Sequence, residues 1–196
     1  MNTRHTHTVY SRTLRVVSFP MVLLFLLTLS PGCNPDKPAL GKAALSLRDG
    51  LQTTLNLYSA GLAEPMSQGD SKRVKAVLER IFSEAVGPAN IPKFSVAVLD
   101  NHGTTVARTA RSELSDVQNY GNYQVVSRVI QKRKTSRSIL YLHGSEKVFI
   151  VCAPLLHREK LAGILIISID NDQLHQAGIT DAEFMALTFS PHPGTS

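Results

Sequence analysis

From Leu40 onward the apolar positions fall at helical spacing. Leu40, Ala44, Leu47, Leu51, Leu55, Tyr58 and Leu62 follow steps of three and four and mark one face of an amphipathic helix. Pro65 is expected to end or bend it, because proline has no N–H to give the preceding turn. Asp70 is placed to cap a second helix whose Val74, Val77, Leu78, Ile81, Phe82 and Ala85 again form one stripe, and Gly87-Pro88 stops it. The period then changes. Phe94 to Leu99 (FSVAVL) is apolar and partly β-branched, Asp100-Asn101-His102-Gly103 is a turn signal, and Thr104 to Thr109 completes a hairpin.

Arg111 to Asn122 is polar and loop-like, and Val125, Val126, Val129 and Ile130 predict a short helix running to about Arg133. Three strands follow, Ser138 to Leu142, Lys147 to Leu155 and Leu161 to Ile169, joined by turns at His143-Gly144-Ser145-Glu146 and at Leu156 to Lys160. Connections this short force antiparallel neighbours. Asp181 to Leu187 predicts a terminal helix and Ser190 to Ser196 a tail. The fold class is therefore α+β: one five-stranded antiparallel sheet with a long N-terminal helix and a helix between strands 2 and 3.

The residues before Leu40 follow another logic. Met1 to Arg15 is polar and basic, and Val16 to Leu29 is an apolar run of about 14 residues interrupted by Pro20. A bilayer span needs about 20 apolar residues, so the run has the length of a signal-peptide core instead. Arg4, Arg12 and Arg15 lie in this segment, which has no acid; without them the formal charge of +6 falls to +3. That mild excess is no nucleic-acid footprint. Leu29-Ser30-Pro31-Gly32-Cys33 resembles the lipobox of bacterial prolipoproteins, with Ser30 where Leu is usual. The resemblance implies a signal peptide over 1–32, a lipid on Cys33, and a tether over 33–39, where Asn34 to Ala39 holds two prolines and no periodicity. It also implies a cell-envelope location facing the periplasm. Asn34 lacks the aspartate that marks inner-membrane retention, which favours the outer membrane by the same resemblance.

Cys152 is the only other cysteine and sits in the apolar run Val148 to Leu156, as a core thiol does. CxxC, CxxCH, HExxH and GxSxG are absent, so no cofactor and no catalytic activity is expected. His102, His143 and His157 fall in turns without metal-like spacing. Lys132, Arg133, Lys134 and Arg137 are a charge run at a helix C-terminus, where cations complement the dipole.

The long first helix, "VLDNHG" at the first hairpin, the helix near Val125, and "APL" and "AGILIISID" in the closing meander together resemble a single Cache domain. This is the PAS-like extracytoplasmic sensor module of bacterial chemoreceptors and histidine kinases. The likeness covers residues 40–175 and leaves 176–196 as a C-terminal helix and tail. It implies reversible binding of a small organic solute, a carboxylate or an amino acid, between the sheet and the segment after the first hairpin, and a receptor or kinase as protein partner. On that reading Arg108, Tyr120, Tyr123, Arg128 and Lys147 are the candidate ligand-binding residues, and Asp170 would accept from an ammonium group. The alternative is a structural or adaptor lipoprotein that uses the fold for protein contact or as a homodimer, with the first helix as its dimer face.

Overall fold

The structure, a computed structural model, describes residues 39–85, 94–109, 118–141 and 147–191. The signal peptide, Cys33 and most of the tether lie outside the described residues. So do the Gly87-Pro88 stop, the loop over 110–117, the turn at 143–146 and the last five residues. The chain divides after Pro35, and every described element belongs to the unit Asp36–Ser196.

The long helix α1 (Lys42–Ser67) is followed by α2 (Ser71–Ala85), then β1 (Phe94–Leu99), β2 (Thr105–Arg108), α3 (Gln124–Lys132) and β3 (Ser136–Tyr141). The chain closes through β4 (Lys147–His157), β5 (Lys160–Asp170), α4 (Asn171–Gln176) and α5 (Asp181–Ala186). All strand pairs are antiparallel and the sheet order is β2-β1-β5-β4-β3. No described helix is long and apolar enough to cross a membrane.

Both faces of the sheet are covered, which is why β4 and β5 read as unbroken apolar runs. Phe149, Val151, Ala153 and Leu155 on β4 and Leu165, Ile167 and Ile169 on β5 face α1, and α2 packs on α1 and β2 in the same layer. The α1 stripe Ala44, Leu47, Leu51, Leu55, Tyr58 and Leu62 is wholly buried in that layer. The predicted stripe is thus consumed by the molecule's own sheet, which removes the argument for the first helix as a dimer face. Val148, Ile150 and Cys152 on β4 and Ile164 and Ile166 on β5 point the other way, to Val125, Val126 and Val129 of α3.

Pro65 does not end α1, which runs on to Ser67. The stop comes from Gly69, whose φ of +69° a glycine adopts freely. Asp70 N–H donates to the Pro65 carbonyl and Gly69 N–H to the Met66 carbonyl, the paired bonds of a Schellman motif. Asp70 then caps α2 as expected, accepting from Arg73 N–H at 2.9 Å. The helix α4 went unpredicted. It has six residues and a single buried apolar side chain, Leu174, and Asp170 caps it by accepting from Asp172 N–H.

Candidate functional site

Strand pairing places the candidate residues. Ala97, Ile166 and Cys152 lie on one transverse row of the sheet, with Arg108 opposite Ala97 at one edge and Ser136 opposite Cys152 at the other. Directly paired residues share a face, so Arg108 joins Ala97, Ile166 and Cys152 on the α3 side.

Tyr120 lies over this row. It is 1% exposed, and burial pushes its phenol up to about 12; the Arg108 charge pulls the other way, and Tyr123 and Cys152 add to the rise. One ring therefore feels Arg108 and Cys152 together. Tyr123 packs against it with ring centroids 5.7 Å apart.

Tyr120 is positioned by backbone. Its N–H donates to the Gly103 carbonyl at 2.7 Å, and Thr105 N–H donates to the Gln118 carbonyl at 3.0 Å. Gly103 has a φ of +86°, and a Cβ there would sit 2.5 Å from the Gly121 nitrogen. Two glycines thus let the segment before α3 lie directly on the β1–β2 turn. Asp100 Oδ1 holds the turn by accepting from His102 and Thr104 N–H.

One strand period along, about 7 Å, the same face carries a buried polar pair. Ser95 Oγ and Ser168 Oγ are 2.6 Å apart and directly opposite in register. A mutual hydrogen bond uses one of their two protons, so the pair retains a hydroxyl proton and lone pairs for a third group. Thr109 is also buried; its Oγ1 accepts from Val96 N–H at 3.1 Å. The sequence reading missed this pair. The signal was a serine at matching parity in FSVAVL and in ILIISID, each otherwise apolar.

Register thus puts Arg108, Ser95 and Ser168 on the face of the sheet that Tyr120 covers, with Tyr123 packed on Tyr120: a guanidinium, two phenols and two hydroxyls on the α3 side. Such a set can hold a carboxylate and exclude water from its apolar remainder. The other three candidates are elsewhere. Lys147 does open β4, but strand alternation turns it to the α1 side, opposite Val148. Its Nζ lies 2.9 Å from Asp181 Oδ2, and that bond raises its pKa from the ordinary lysine value. Asp170 spends Oδ1 on capping α4. Arg128 is on the exposed side of α3, away from Val125, Val126 and Val129.

Lys147 belongs to a clip at the sheet's other end. Asp181 binds Lys147 and, through Oδ1 at 3.1 Å, His175 Nε2, and both bonds hold its carboxyl below the usual range. Glu183 completes a capping box with Thr180 and accepts from Gly41 N–H at 2.9 Å, so α5 fastens the start of α1. Arg137, the last cation of the charge run, donates to the Met185 carbonyl, from Nε at 2.7 Å and from Nη2.

Cys152 is fully buried and burial pushes its thiol up, as a core role requires. Among the described residues no group of His, Cys, Asp and Glu is arranged to hold a metal.

No family model matches the chain, and no curated protein matches it by sequence. Solved structures do match. A domain of a sensory box/GGDEF family protein from Vibrio parahaemolyticus aligns with TM-score 0.54 and 11% identity, over 71% of this chain and 60% of that one. The extracellular domain of a histidine kinase, vpHK1S-Z8, aligns with TM-score 0.54 and 13% identity, over 76% of this chain and 57% of that one. The chain therefore spans less than two-thirds of either structure. At such identities the likeness concerns the fold. Sheet order, the long first helix and the helix between strands 2 and 3 agree with it, and the chain has the PAS/Cache-like fold of bacterial sensor domains.

Proposed function

We propose that the chain is a lipid-anchored sensor-type domain that faces the periplasm and binds a small organic solute, a carboxylate or an amino acid, on the α3 side of its sheet. What supports this reading is that Arg108, covered by Tyr120 and Tyr123, shares the α3 face of the sheet with the buried Ser95–Ser168 pair. Arg108 supplies the charge for a carboxylate, the phenols and serines its hydrogen bonds, and Ala97, Ile150 and Ile166 the apolar floor. Cys33 carries the lipid, in the outer membrane by the residue at position 34, and a receptor or kinase reads the liganded state. No catalytic step belongs to this reading.

The test is a thermal-shift screen of the unit Asp36–Ser196 against organic acids, amino acids, amines and nucleobases. A ligand at 100 times its Kd adds about 2.7 kcal/mol, a shift that is easily read. A hit among acids or amino acids that vanishes with Arg108→Ala supports the proposal, and a blank across a cooperatively melting domain refutes it. The anchor is tested separately: metabolic labelling with a palmitate analogue should mark the wild-type chain and leave Cys33→Ser unlabelled.

A further inference from the structure

The sheet carries a concavity on the α1–α2 side that the proposed solute site does not use. An open groove of about 790 Å³ lies between the α1–α2 turn, the β1–β2 turn and the β4–β5 hairpin. Met66, Val74, Val106, Leu161 and Ala162 give it apolar walls, and His157, Arg158 and Lys160 stand on the hairpin at its rim. This volume and this mixture of apolar lining with a few charged groups are those of a small-molecule site.

Hydrogen bonds hold three carboxylates near the groove in place. Asp100 accepts from His102 and Thr104 N–H, Asp70 accepts from Arg73 N–H, and Glu64 accepts from Gln68 and faces Arg73 at 3.9 Å. Among the described residues Arg158 and Lys160 form no ion pair. Of the charged side chains that line the groove, the cations Arg158 and Lys160 outnumber the one carboxylate, Asp100, so the lining carries a net positive charge.

The hairpin that presents these cations is also held in a disfavoured shape. Arg158 and Glu159 have φ of +48° and +65°. They are the two central residues of a turn whose left-handed positions normally go to Asn and Gly. Arg133 Nη1 donates to the Glu159 carbonyl at 3.1 Å and fixes the turn from the α3 side. Side-chain-bearing residues kept in such a conformation point to a use for those side chains.

We infer that this groove binds an amphiphilic organic anion, with its apolar body on Met66, Val74 and Leu161 and its carboxylate against Arg158 and Lys160. The guanidinium and ammonium select the acid over the corresponding alcohol, because only the acid gains charge-assisted hydrogen bonds. The groove is distinct from the α3-side site, so the two proposals stand or fall separately.

Calorimetric titration of decanoate into the unit Asp36–Ser196 tests it, with the thermal melt of each variant recorded alongside. Saturable binding is expected, and Arg158→Ala with Lys160→Ala should weaken it at least tenfold. Both residues are exposed, so the double variant keeps its melt. Decanol should bind the wild type and the double variant alike, and Arg108→Ala should leave decanoate binding unchanged. Equal decanoate affinity in the wild type and the double variant would overturn the inference. So would the absence of saturable binding, or a loss of binding in Arg108→Ala alone, which would place the anion on the α3 side.

Discussion

Replacing Tyr58 with phenylalanine should make the protein more stable, although it deletes a polar group from the centre of the fold. Tyr58 is fully buried in the layer between α1 and the sheet. Its hydroxyl oxygen has no hydrogen-bond partner among the described residues, and burial holds its ionisation far above that of an ordinary tyrosine. A buried hydroxyl without a partner forfeits its hydration and gains nothing in return, at a cost of about 1–3 kcal/mol. Phenylalanine keeps the ring in the same layer and leaves a gap no larger than one oxygen. The expected gain is about 1–2 kcal/mol, a rise of about 2–4 °C in Tm for each kcal/mol in a domain of this size. Removing the ring as well, in Tyr58→Ala, should cost about 3–5 kcal/mol through the cavity left behind. Urea denaturation of the unit Asp36–Ser196 reads the effect as a shift in midpoint at unchanged slope. A Tyr58→Phe variant destabilised by 1 kcal/mol or more would show that the hydroxyl is hydrogen-bonded, and the reasoning would fail.

Gly103→Ala should cost at least about 2 kcal/mol, since its φ is +86° and the new Cβ would meet the backbone of Gly121. Hydrogen exchange should show lost protection at the Tyr120 amide, and an unchanged rate there would contradict the role given to this contact. Glu159→Gly should stabilise by about 0.5–1 kcal/mol by relieving a left-handed glutamate, read by urea melts; no gain would mean that the turn is unstrained. The terminal clip should respond to pH on both sides. The Asp181 and Glu183 pKa values are lowered in the folded state, so their contribution is complete above about pH 4 and is lost as pH falls through the folded values. That of Lys147 is raised, so its contribution is complete below about pH 10 and is lost as pH rises through the folded value. Exchange protection factors in α5 should hold between these limits and fall beyond each, and Asp181→Asn should remove the dependence due to Lys147.

The elements were legible where periodicity was unambiguous. The stripe from Ala44 to Leu62 could only be a helix face, and short turns between apolar runs could only make an antiparallel meander. What periodicity could not supply was the facing of the central strands. The run from Val148 to Leu155 carries no alternation because both of its faces are buried. The resemblance alone named Lys147, which belongs to the α1 side, and the shared face of Ser95 and Ser168 shows only once the register is known. Arg108 and Tyr120 stand out because each borders a polar loop, where the sequence does mark a change of surroundings. The stop of α1 was misplaced because Pro65 is the more conspicuous residue, whereas the left-handed Gly69 closes the helix. The helix α4 depends on one cap and one buried leucine, too little to raise a periodic signal.

In the proposed function Arg108 anchors an anionic solute on the α3 side of the sheet. Calorimetric titration of the strongest solute from the thermal screen into wild-type and Arg108→Ala protein tests it most directly. Saturable one-to-one binding is expected in the wild type and at least a tenfold loss in the variant, a difference of about 1.4 kcal/mol or more, with decanoate binding in the groove unaffected. Equal affinity in the two proteins would contradict it.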